Sequence, residues 1–331
     1  MKKIINHPEN VVSEMLEGLV AANPEKLVYL PEQKIIARKQ GTPKGKVAVV
    51  TGSGSGHEPD QVWYVGKGML DAACAGPVFA APTADAVYEA TKSVDAGAGV
   101  LYLIKNYTGD RANFSMATEM SAEDGIKVET VIANDDVAVK DSTWTAGRRG
   151  VAGAILNYKI TCAKAEKMAS LAEVKEIAER VNANTRSMGF GLTSCVTPAK
   201  GAPTFELGDS EMEIGVGLHG EPGRKRTQVM SADEIIELLC KNIVEDLPFT
   251  AGDEVAVMVN GLGGTPIMEL YIAIRKVSQY MSERDIKIYK SYIGEYCTSL
   301  DMAGCSVSLL KLDKEMKELL EMPIDIPLTI F

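Results

Sequence analysis

The sequence has few residues of the types that carry acid–base or metal chemistry. Only three of its 331 residues are histidine, and its six cysteines form no CxxC pair and show no metal-ligand spacing. Cysteines scattered through apolar segments are typical of reduced, buried thiols in a cytoplasmic protein. The sequence therefore predicts a cytoplasmic protein that holds no metal of its own.

Clustered positive charge and long apolar runs are also missing. The formal net charge is -10 and the pI is about 5.0, and no basic block is longer than Arg224-Lys225-Arg226, so a phosphate backbone would be repelled. No stretch approaches the roughly 20 apolar residues of a membrane span, and the N-terminus lacks the apolar centre of a signal peptide. Neither nucleic acid nor a membrane is an expected partner.

The chain is organised around one glycine-rich stretch, KVAVVTGSGSGHEPD, at residues 46–60. Its apolar start predicts a buried strand, and Gly52, Gly54 and Gly56 predict a sharp turn in which a ligand approaches the backbone. Open α/β sheets place their sites beyond such strand ends. The spacing is GxGxG, not GxGxxG, and the chain has no GxxxxGK[ST] motif, which argues against a nucleotide here. A tight turn without a ligand is the alternative.

Strand-length and helix-length segments alternate through the first half of the chain, which is typical of parallel βαβ units. Such units bring the loops after the strands to one edge of the sheet. Strands are predicted at 27–30, 34–37, 47–50, 77–80, 99–104 and 126–133. Helices are predicted from 11 to near 23–24 and at 68–75, 83–94, 111–122, 150–167 and 171–187. The loops expected to meet are GSGSGHEP, AAPTAD, KNYTGD and NDDVAVKD.

In the second half the strands follow one another more closely, which indicates an α+β domain with a mixed sheet. The predicted fold class is α/β, with a parallel-sheet α/β/α domain over residues 1–186 and a smaller α+β domain over 187–331. Between the predicted elements, the polar segment 137–150 predicts a loop that is either functional or mobile.

Two of the three histidines are candidates for chemistry. His57 in GHEP and His219 in HGEPG each follow a predicted strand, a context expected to expose the ring, and a neutral imidazole can act as nucleophile or proton acceptor. His7 precedes Pro8 at a helix entrance, where a solvated or capping role fits better. A purely structural role is the alternative for His57 and His219.

Charged residues that follow the predicted strands are the other candidates. Asp110 in KNYTGD could be a carboxylate base, and Lys105 could meet an anion, a carbonyl or a carboxylate. A turn-forming aspartate and a plain surface lysine are the alternatives. Asp135, Asp136 and Asp141 lack regular ligand spacing, which favours a solvated loop over a metal site.

Seven motifs occur in order along nearly the whole chain: GSGSGHEP, VGKGML, IKNYTGD, DDVAVKDS, TAGRRGVAG, GVGLHGEPG and CTSLDM. Together they resemble the dihydroxyacetone-binding K subunit of dihydroxyacetone kinase. HGEPG after a strand and IKNYTGD are the specific parts of this resemblance, whereas GSGSG alone is a weak signal. The resemblance implies a parallel-sheet α/β/α domain followed by a smaller mixed-sheet domain, in agreement with the division above.

The resemblance also implies a short ketose as substrate and a role for each candidate residue. The ring nitrogen of His219 would add to the ketone carbon and form a hemiaminal, which glycerol cannot do because it has no carbonyl. Asp110 would be the base for the hydroxyl that accepts the phosphoryl group, and His57 would hydrogen-bond the ketose. Gly54 and Lys105 would complete the pocket wall through a backbone N–H and an ammonium.

The partners that the resemblance implies are separate chains. Mg-ATP or ADP is expected on a helical L subunit, which a phosphotransferase-system protein recharges in many bacteria, and no cofactor is expected on this chain. The lack of a P-loop, and of a helical nucleotide domain after Phe331, favours a stand-alone K subunit. Such subunits are expected to form homodimers.

Departures from the family pattern leave the ketose and the phosphoryl donor open. Ala81 stands where the family often has a serine, and Asp60, Gln61 and the next two residues replace small residues and a histidine. The alternative function is a ketose-binding coactivator of a transcription regulator, without kinase activity. Asp110 favours the enzyme, because a sensor needs no base. A nicotinamide oxidoreductase is disfavoured, since no acidic ribose-binding residue is evident about 20 residues after the glycines.

Overall fold

The computed structural model describes residues 2–139, 147–221 and 223–328, which form twelve strands in two six-stranded sheets and eight α-helices. The strands are β1 (Leu27–Leu30), β2 (Ile35–Arg38), β3 (Ala48–Ser55), β4 (Ala72–Val78), β5 (Val100–Lys105), β6 (Val128–Ala133), β7 (Thr185–Gly191), β8 (Glu211–Ile214), β9 (Lys225–Gln228), β10 (Glu254–Gly261), β11 (Lys287–Gly294) and β12 (Gly304–Lys311). The helices are α1 (Val11–Ala22), α2 (Ala84–Val94), α3 (Thr108–Glu123), α4 (Ala154–Glu166), α5 (Leu171–Ala183), α6 (Ala232–Asp246), α7 (Ile267–Ser282) and α8 (Lys314–Leu320).

The first sheet has the strand order β1-β2-β4-β3-β5-β6. Its last four strands are parallel, as the βαβ pattern predicts, and β1 and β2 add an antiparallel hairpin at one edge. Helices α2 and α3 pack on one face, and α1, α4 and α5 pack on the other. The predicted α/β/α layers are therefore confirmed.

The second sheet has the order β11-β10-β12-β7-β8-β9 and is mixed, as predicted, because β10 and β11 are parallel while the other pairs are antiparallel. Helices α6 and α7 cover one face and form a second apolar core with it. Met258 of β10 and Leu310 of β12 belong instead to the core of the first sheet. The two sheets thus share a core through these strands.

Helix α4 lies inside this shared core. All but two of its thirteen residues are buried, as expected for a helix that is covered on every side. Helix α8 also packs in this core, and the backbone of Lys67 forms an isolated β-bridge with the backbone of Asp325. The segment that follows α8 thus returns to the first half of the chain, and β7 begins at Thr185, before the predicted domain boundary. The division between residues 186 and 187 therefore stays a prediction.

Local capping explains several helix boundaries. Thr83, the N-cap of α2, accepts a hydrogen bond from the backbone N–H of Ala86. Helices α5 and α6 begin with full capping boxes, in which a serine and the glutamate three residues later each bond the other's backbone. Within the described ranges, none of the helices combines the length and the apolar character needed to cross a bilayer.

The helix predicted at residues 68–75 is wrong, because β4 begins at Ala72 and the segment before it contains turns and bridges. Its small residues resemble helix formers, but β4 is buried between β2 and β3, where small side chains allow close packing. The strand predicted at 77–80 ends at Val78. Phe79 then takes a left-handed conformation, with φ of 60°, and turns the chain.

The turn predicted at the glycines is also wrong in part, since β3 continues through Gly52 and Gly54 as far as Ser55. These glycines serve close packing: a Cβ on Gly52 would lie 2.9 Å from the Cβ of Cys74, and one on Gly54 would lie 2.5 Å from the backbone nitrogen of Ala80. Only Gly56, with φ of 103°, takes the left-handed conformation that ends the strand.

Candidate functional site

A cavity of about 360 Å³ lies at the carboxyl ends of β3 and β5. It is lined by Ser53 and Gly54, by residues 79–81 and 107–110, and by His219. Three of the four predicted loops therefore meet here, together with a histidine from the second half of the chain. The fourth loop, NDDVAVKD, contributes no lining residue from the part that the structure describes, which ends at residue 139.

Glu221 fixes the orientation of His219. Its two carboxylate oxygens lie 3.0 Å from Nδ1 and 2.9 Å from the backbone nitrogen of His219. Burial alone would raise the pKa of Glu221, but its hydrogen bond to His219 and the charges of His219 and Arg149 lower that pKa to about 2. With Nδ1–H committed to this carboxylate, Nε2 is the ring nitrogen left for a ligand.

Aromatic rings surround His219 on several sides. The rings of His57, Phe79 and Tyr107 meet it edge-on, with centroid distances of 4.8, 5.2 and 4.7 Å. Edge-to-face packing of this kind restricts the orientation of a ring. Together with the hydrogen bonds to Glu221, these contacts hold the imidazole in one position at the cavity.

His57 is buried, with 1% of its surface exposed, so the prediction that its context exposes the ring is wrong. The reason is tertiary: its Nδ1 lies 2.7 Å from the carbonyl oxygen of Thr298, in a loop distant in sequence. Because Nδ1–H donates to this carbonyl, Nε2 carries the lone pair, and it has no partner among the described residues. Burial, and then the charges of His219 and Lys105, hold the pKa of His57 well below its usual range.

The CTSLDM motif, residues 297–302, fastens both histidine loops from the second sheet. The backbone N–H of Thr298 donates to the carbonyl of His57 at 3.0 Å. The hydroxyl of Ser299 donates to the carbonyl of Leu218, the residue before His219. This segment therefore fixes the two histidines relative to each other.

Asp110 lies in the first turn of α3, so it is a helical residue and not the turn former of the alternative interpretation. It is 2% exposed, and its Oδ2 accepts a hydrogen bond from the hydroxyl of Ser53 at 2.8 Å. Burial raises its pKa to about 6, although the Ser53 hydrogen bond and the charge of Lys105 oppose the increase. A carboxylate with this pKa is suited to accept a proton near neutral pH.

Lys105 does not line the cavity. It is buried, and its ammonium forms an ion pair with the carboxylate of Asp60. The surface-lysine alternative is therefore wrong, and the structure confirms a carboxylate as the partner. Gly54, in contrast, lines the cavity beside Ser53, as the predicted role in the pocket wall requires.

The acids after β6 are not solvated. Asp135 accepts hydrogen bonds from the backbone of Val151 and Gly153, Asp136 pairs with Arg149, and both acids are buried. The solvated-loop prediction is therefore wrong for these two, because the chain beyond β6 folds back over them. Asp141 lies outside the described residues, as does half of the predicted loop at 137–150, residues 140–146. The described residues contain no group of His, Cys, Asp and Glu placed to hold a metal ion.

Sequence reasoning missed several residues of the site. Ser53, Tyr107, Glu221 and Thr298 all lie inside the motifs GSGSG, KNYTGD, HGEPG and CTSLDM, so the signal was present but was not assigned to them. An imidazole held in one orientation needs an acceptor for its ring N–H, and Glu221, two residues after His219 in HGEPG, offers a carboxylate for that role. Phe79 carries no such signal.

Comparison with known proteins places this geometry in a family. A family model described as the Dak1 domain matches residues 17–328. The dihydroxyacetone-binding subunit of PTS-dependent dihydroxyacetone kinase 1 from Listeria innocua is 46% identical over 326 residues, which are 98% of this chain and 99% of that protein.

Two solved structures share the fold. The dihydroxyacetone kinase from C. freundii, in complex with AMP-PNP and Mg²⁺, superimposes with a TM-score of 0.91 at 35% identity, over 98% of this chain and 60% of that longer chain. A co-activator of a dihydroxyacetone kinase operon superimposes with a TM-score of 0.89 at 32% identity, over 94% of this chain and 96% of that chain. The motif resemblance is thus confirmed by matches over almost the full length, and the chain belongs to the Dak1 domain family.

Proposed function

We propose that this chain is the dihydroxyacetone-binding subunit of a dihydroxyacetone kinase. The observation that carries the proposal is that His219 and Asp110, from different halves of the chain, line one cavity of about 360 Å³. A nucleophilic nitrogen and a carboxylate base then face the same small molecule. The name of the Listeria relative, which matches over nearly its full length, supports the same assignment.

The first step is capture of the ketose by His219. The lone pair of Nε2 adds to the ketone carbon, the carbonyl π electrons move to the oxygen, and that oxygen takes a proton from solvent, so no group leaves. The ring becomes cationic, and the carboxylate of Glu221, 3.0 Å from Nδ1, balances this charge. An alcohol such as glycerol has no electrophilic carbon, which makes the chemistry selective.

The second step is activation of the hydroxyl that accepts the phosphoryl group. Asp110 removes the hydroxyl proton, and the hydrogen bond from Ser53 holds the carboxylate in place. His57 is not among the lining residues but packs against His219, and its unpartnered Nε2 would accept a hydrogen bond from a ketose held there. Gly54 would contribute its backbone N–H. Lys105 is not a lining residue, and its ammonium would meet the ketose with the N–H donors that its ion pair with Asp60 leaves.

The phosphoryl donor is a nucleotide on another chain. We assign Mg-ATP or ADP to a separate L subunit and its recharging to a phosphotransferase-system protein, in line with the PTS-dependent name of the Listeria relative. We also propose that the subunit forms homodimers and is cytoplasmic. The preferred ketose is open, because relatives at 35% and 36% identity are named L-erythrulose kinase and D-erythrulose kinase.

The second candidate is a ketose-binding coactivator without kinase activity. The shared fold of the operon co-activator, at 32% identity, supports this alternative. A sensor needs ketose capture by His219 but has no use for a base. The buried Asp110, with a pKa of about 6 and a dedicated hydrogen bond from Ser53, favours the enzyme.

A reconstituted assay tests the proposal. The chain is mixed with a competent L subunit, its phosphoryl donor and dihydroxyacetone, and phosphorylated product is measured. We expect turnover with the wild-type chain and none with His219→Ala. Ketose binding without phosphate transfer, using a partner known to be active with another K subunit, would favour the coactivator.

A further inference from the structure

Strands β3 and β5, which lead to opposite sides of the cavity, stop pairing with each other before they reach it. The register of β3 with β4 runs to Ser55, but its register with β5 covers only Ala48–Val50. Beyond that point β3 supplies Ser53 and Gly54, while Asp110 lies just past the end of β5. The two sides are therefore joined there by side chains: the hydroxyl of Thr51 donates to the carbonyl of Leu103 at 2.6 Å, and that of Ser53 donates to Asp110 at 2.8 Å. The placement of Ser53 and of the end of β5 thus depends on the groups that hold each of them.

Gln61 holds the β3 side. Its Oε1 accepts the backbone N–H of Ser53 at 2.9 Å, and its Nε2 donates to the carbonyl of Gly54 at 3.2 Å. Gln61 is 3% exposed and has a φ of 70°, which is unusual for a residue other than glycine. Such a conformation persists only where the surroundings impose it. The amide thus takes the place of a strand partner for the part of β3 that borders the cavity.

Asp60 holds the β5 side. Its Oδ2 pairs with the ammonium of Lys105, the last residue of β5, and lies 3.4 Å from the Sγ of Cys297. Its Oδ1 accepts the backbone N–H of Gln61 at 2.7 Å. Asp60, Lys105 and Cys297 are all buried. One carboxylate therefore joins the end of β5, the Gln61 backbone and the loop that fixes His57.

We infer that Asp60 and Gln61 are positioning residues that set the separation of Gly54 and Asp110 across the cavity. Gln61 fixes the β3 edge, and Asp60 fixes the β5 edge by holding the Lys105 ammonium in a buried ion pair. The inference rests on the proposed function, because the geometry that it protects is that of the phosphoryl acceptor. His219 is held independently by Glu221, so capture and positioning are separable.

The first test is Gln61→Met, which keeps the length of the side chain but removes both hydrogen bonds. We expect the dihydroxyacetone adduct on His219 to form, KM for dihydroxyacetone to rise, and kcat/KM to fall about 10- to 100-fold, since small misplacements at a reacting centre have effects of this size. Gln61→Glu keeps only the acceptor for the backbone N–H of Ser53, so its KM and kcat/KM should lie between those of the wild type and of Gln61→Met. Gln279→Met, at an exposed glutamine of α7, is the matched control and should behave as wild type.

The second test removes the ion pair without leaving a buried charge unpaired. In Asp60→Asn/Lys105→Met both members become neutral, so the variant should fold even if Asp60→Asn alone does not. Thermal unfolding establishes that each variant is folded. We expect KM for dihydroxyacetone to rise in the folded double variant. A loss of folded protein would instead lower kcat per total protein and leave KM unchanged, so KM distinguishes a positioning role from a role in stability alone.

Two outcomes would overturn the inference. Folded Gln61→Met with wild-type KM and kcat would show that the amide positions nothing, and the same result for the double variant would remove the role of Asp60. If the wild-type chain shows no turnover with any competent partner, the proposed function fails instead. Ligand affinity then decides the inference, which predicts weaker binding of dihydroxyacetone by Gln61→Met than by Gln279→Met.

Discussion

The ring of His57 lies 4.8 Å from the ring of His219, edge-on, although the two histidines come from different halves of the chain. Each ring has its Nδ1 committed to an acceptor, Thr298 for one and Glu221 for the other. Both Nε2 atoms are thereby set to carry lone pairs. The site thus brings the Nε2 atoms of two imidazole rings and the buried carboxylate of Asp110 into one region.

Replacement of Glu221 by glutamine should impair capture of the ketose. The neutral amide would no longer balance the positive charge on the His219 ring, and a hydrogen bond to a charged group contributes about 1.5–3 kcal/mol, or roughly 10- to 100-fold in rate. The rate of adduct formation, measured by quenched-flow mass spectrometry, should fall by this factor in Glu221→Gln. An unchanged rate would mean that the carboxylate has no part in capture.

The pH dependence of turnover should report Asp110. Because this carboxyl must be deprotonated to act as a base and its pKa is raised to about 6, kcat/KM should fall as pH drops through about 6. Besides burial, the groups that influence the pKa of Asp110 include Ser53, Lys105, His219 and Asp60. Asp110→Asn should keep the adduct, lose turnover by about 10²- to 10⁴-fold, and lose this acidic limb. A limb that survives in Asp110→Asn would assign the titration to another group.

A matched pair of glycine substitutions tests the close approach at the site. Gly54→Ala places a Cβ 2.5 Å from the backbone nitrogen of Ala80 and should lower the free energy of unfolding by about 1–3 kcal/mol. Gly18→Ala, in α1, meets nothing within 4 Å and should raise it by about 0.5–1 kcal/mol. Urea unfolding measures both, and equal effects would contradict the packing described here.

Lys159 should make the stability pH-dependent. It is 1% exposed, its ammonium donates to the carbonyl of Leu319, and burial lowers its pKa to about 8. Because its pKa in an unfolded chain is about 10.4, the unfolded state binds more protons between these values, so stability rises with pH there. Lys159→Met should lose this rise, on the order of 3 kcal/mol. Parallel wild-type and variant curves in urea unfolding would show that Lys159 is not the cause.

Local patterns predicted much of the fold, because the signals for helices and buried strands lie within the segments themselves. The helix predicted at 83–94, for example, agrees with α2, Ala84–Val94, to within one residue. The parallel direction of β3 to β6 followed from the βαβ pattern, as did the convergence of Gly54 and Asp110 at one sheet edge.

The errors arose where distant segments decide the structure. Gly52 remains in a strand because Cys74 of β4 lies against it, which no local pattern reveals. His57 is buried because Thr298 covers it, and Lys105 turns inward because Asp60 is there to pair with it. In each case the partner lies far away in sequence, and its identity follows only from the packing of the sheets.

The most direct test of the central claim is the intact mass of the chain after incubation with dihydroxyacetone. We predict that the wild-type chain and His7→Ala, which changes an exposed histidine, gain the mass of one dihydroxyacetone, and that His219→Ala gains nothing. An adduct of the same mass on a folded His219→Ala chain would contradict the account, because the nucleophile would then be another residue.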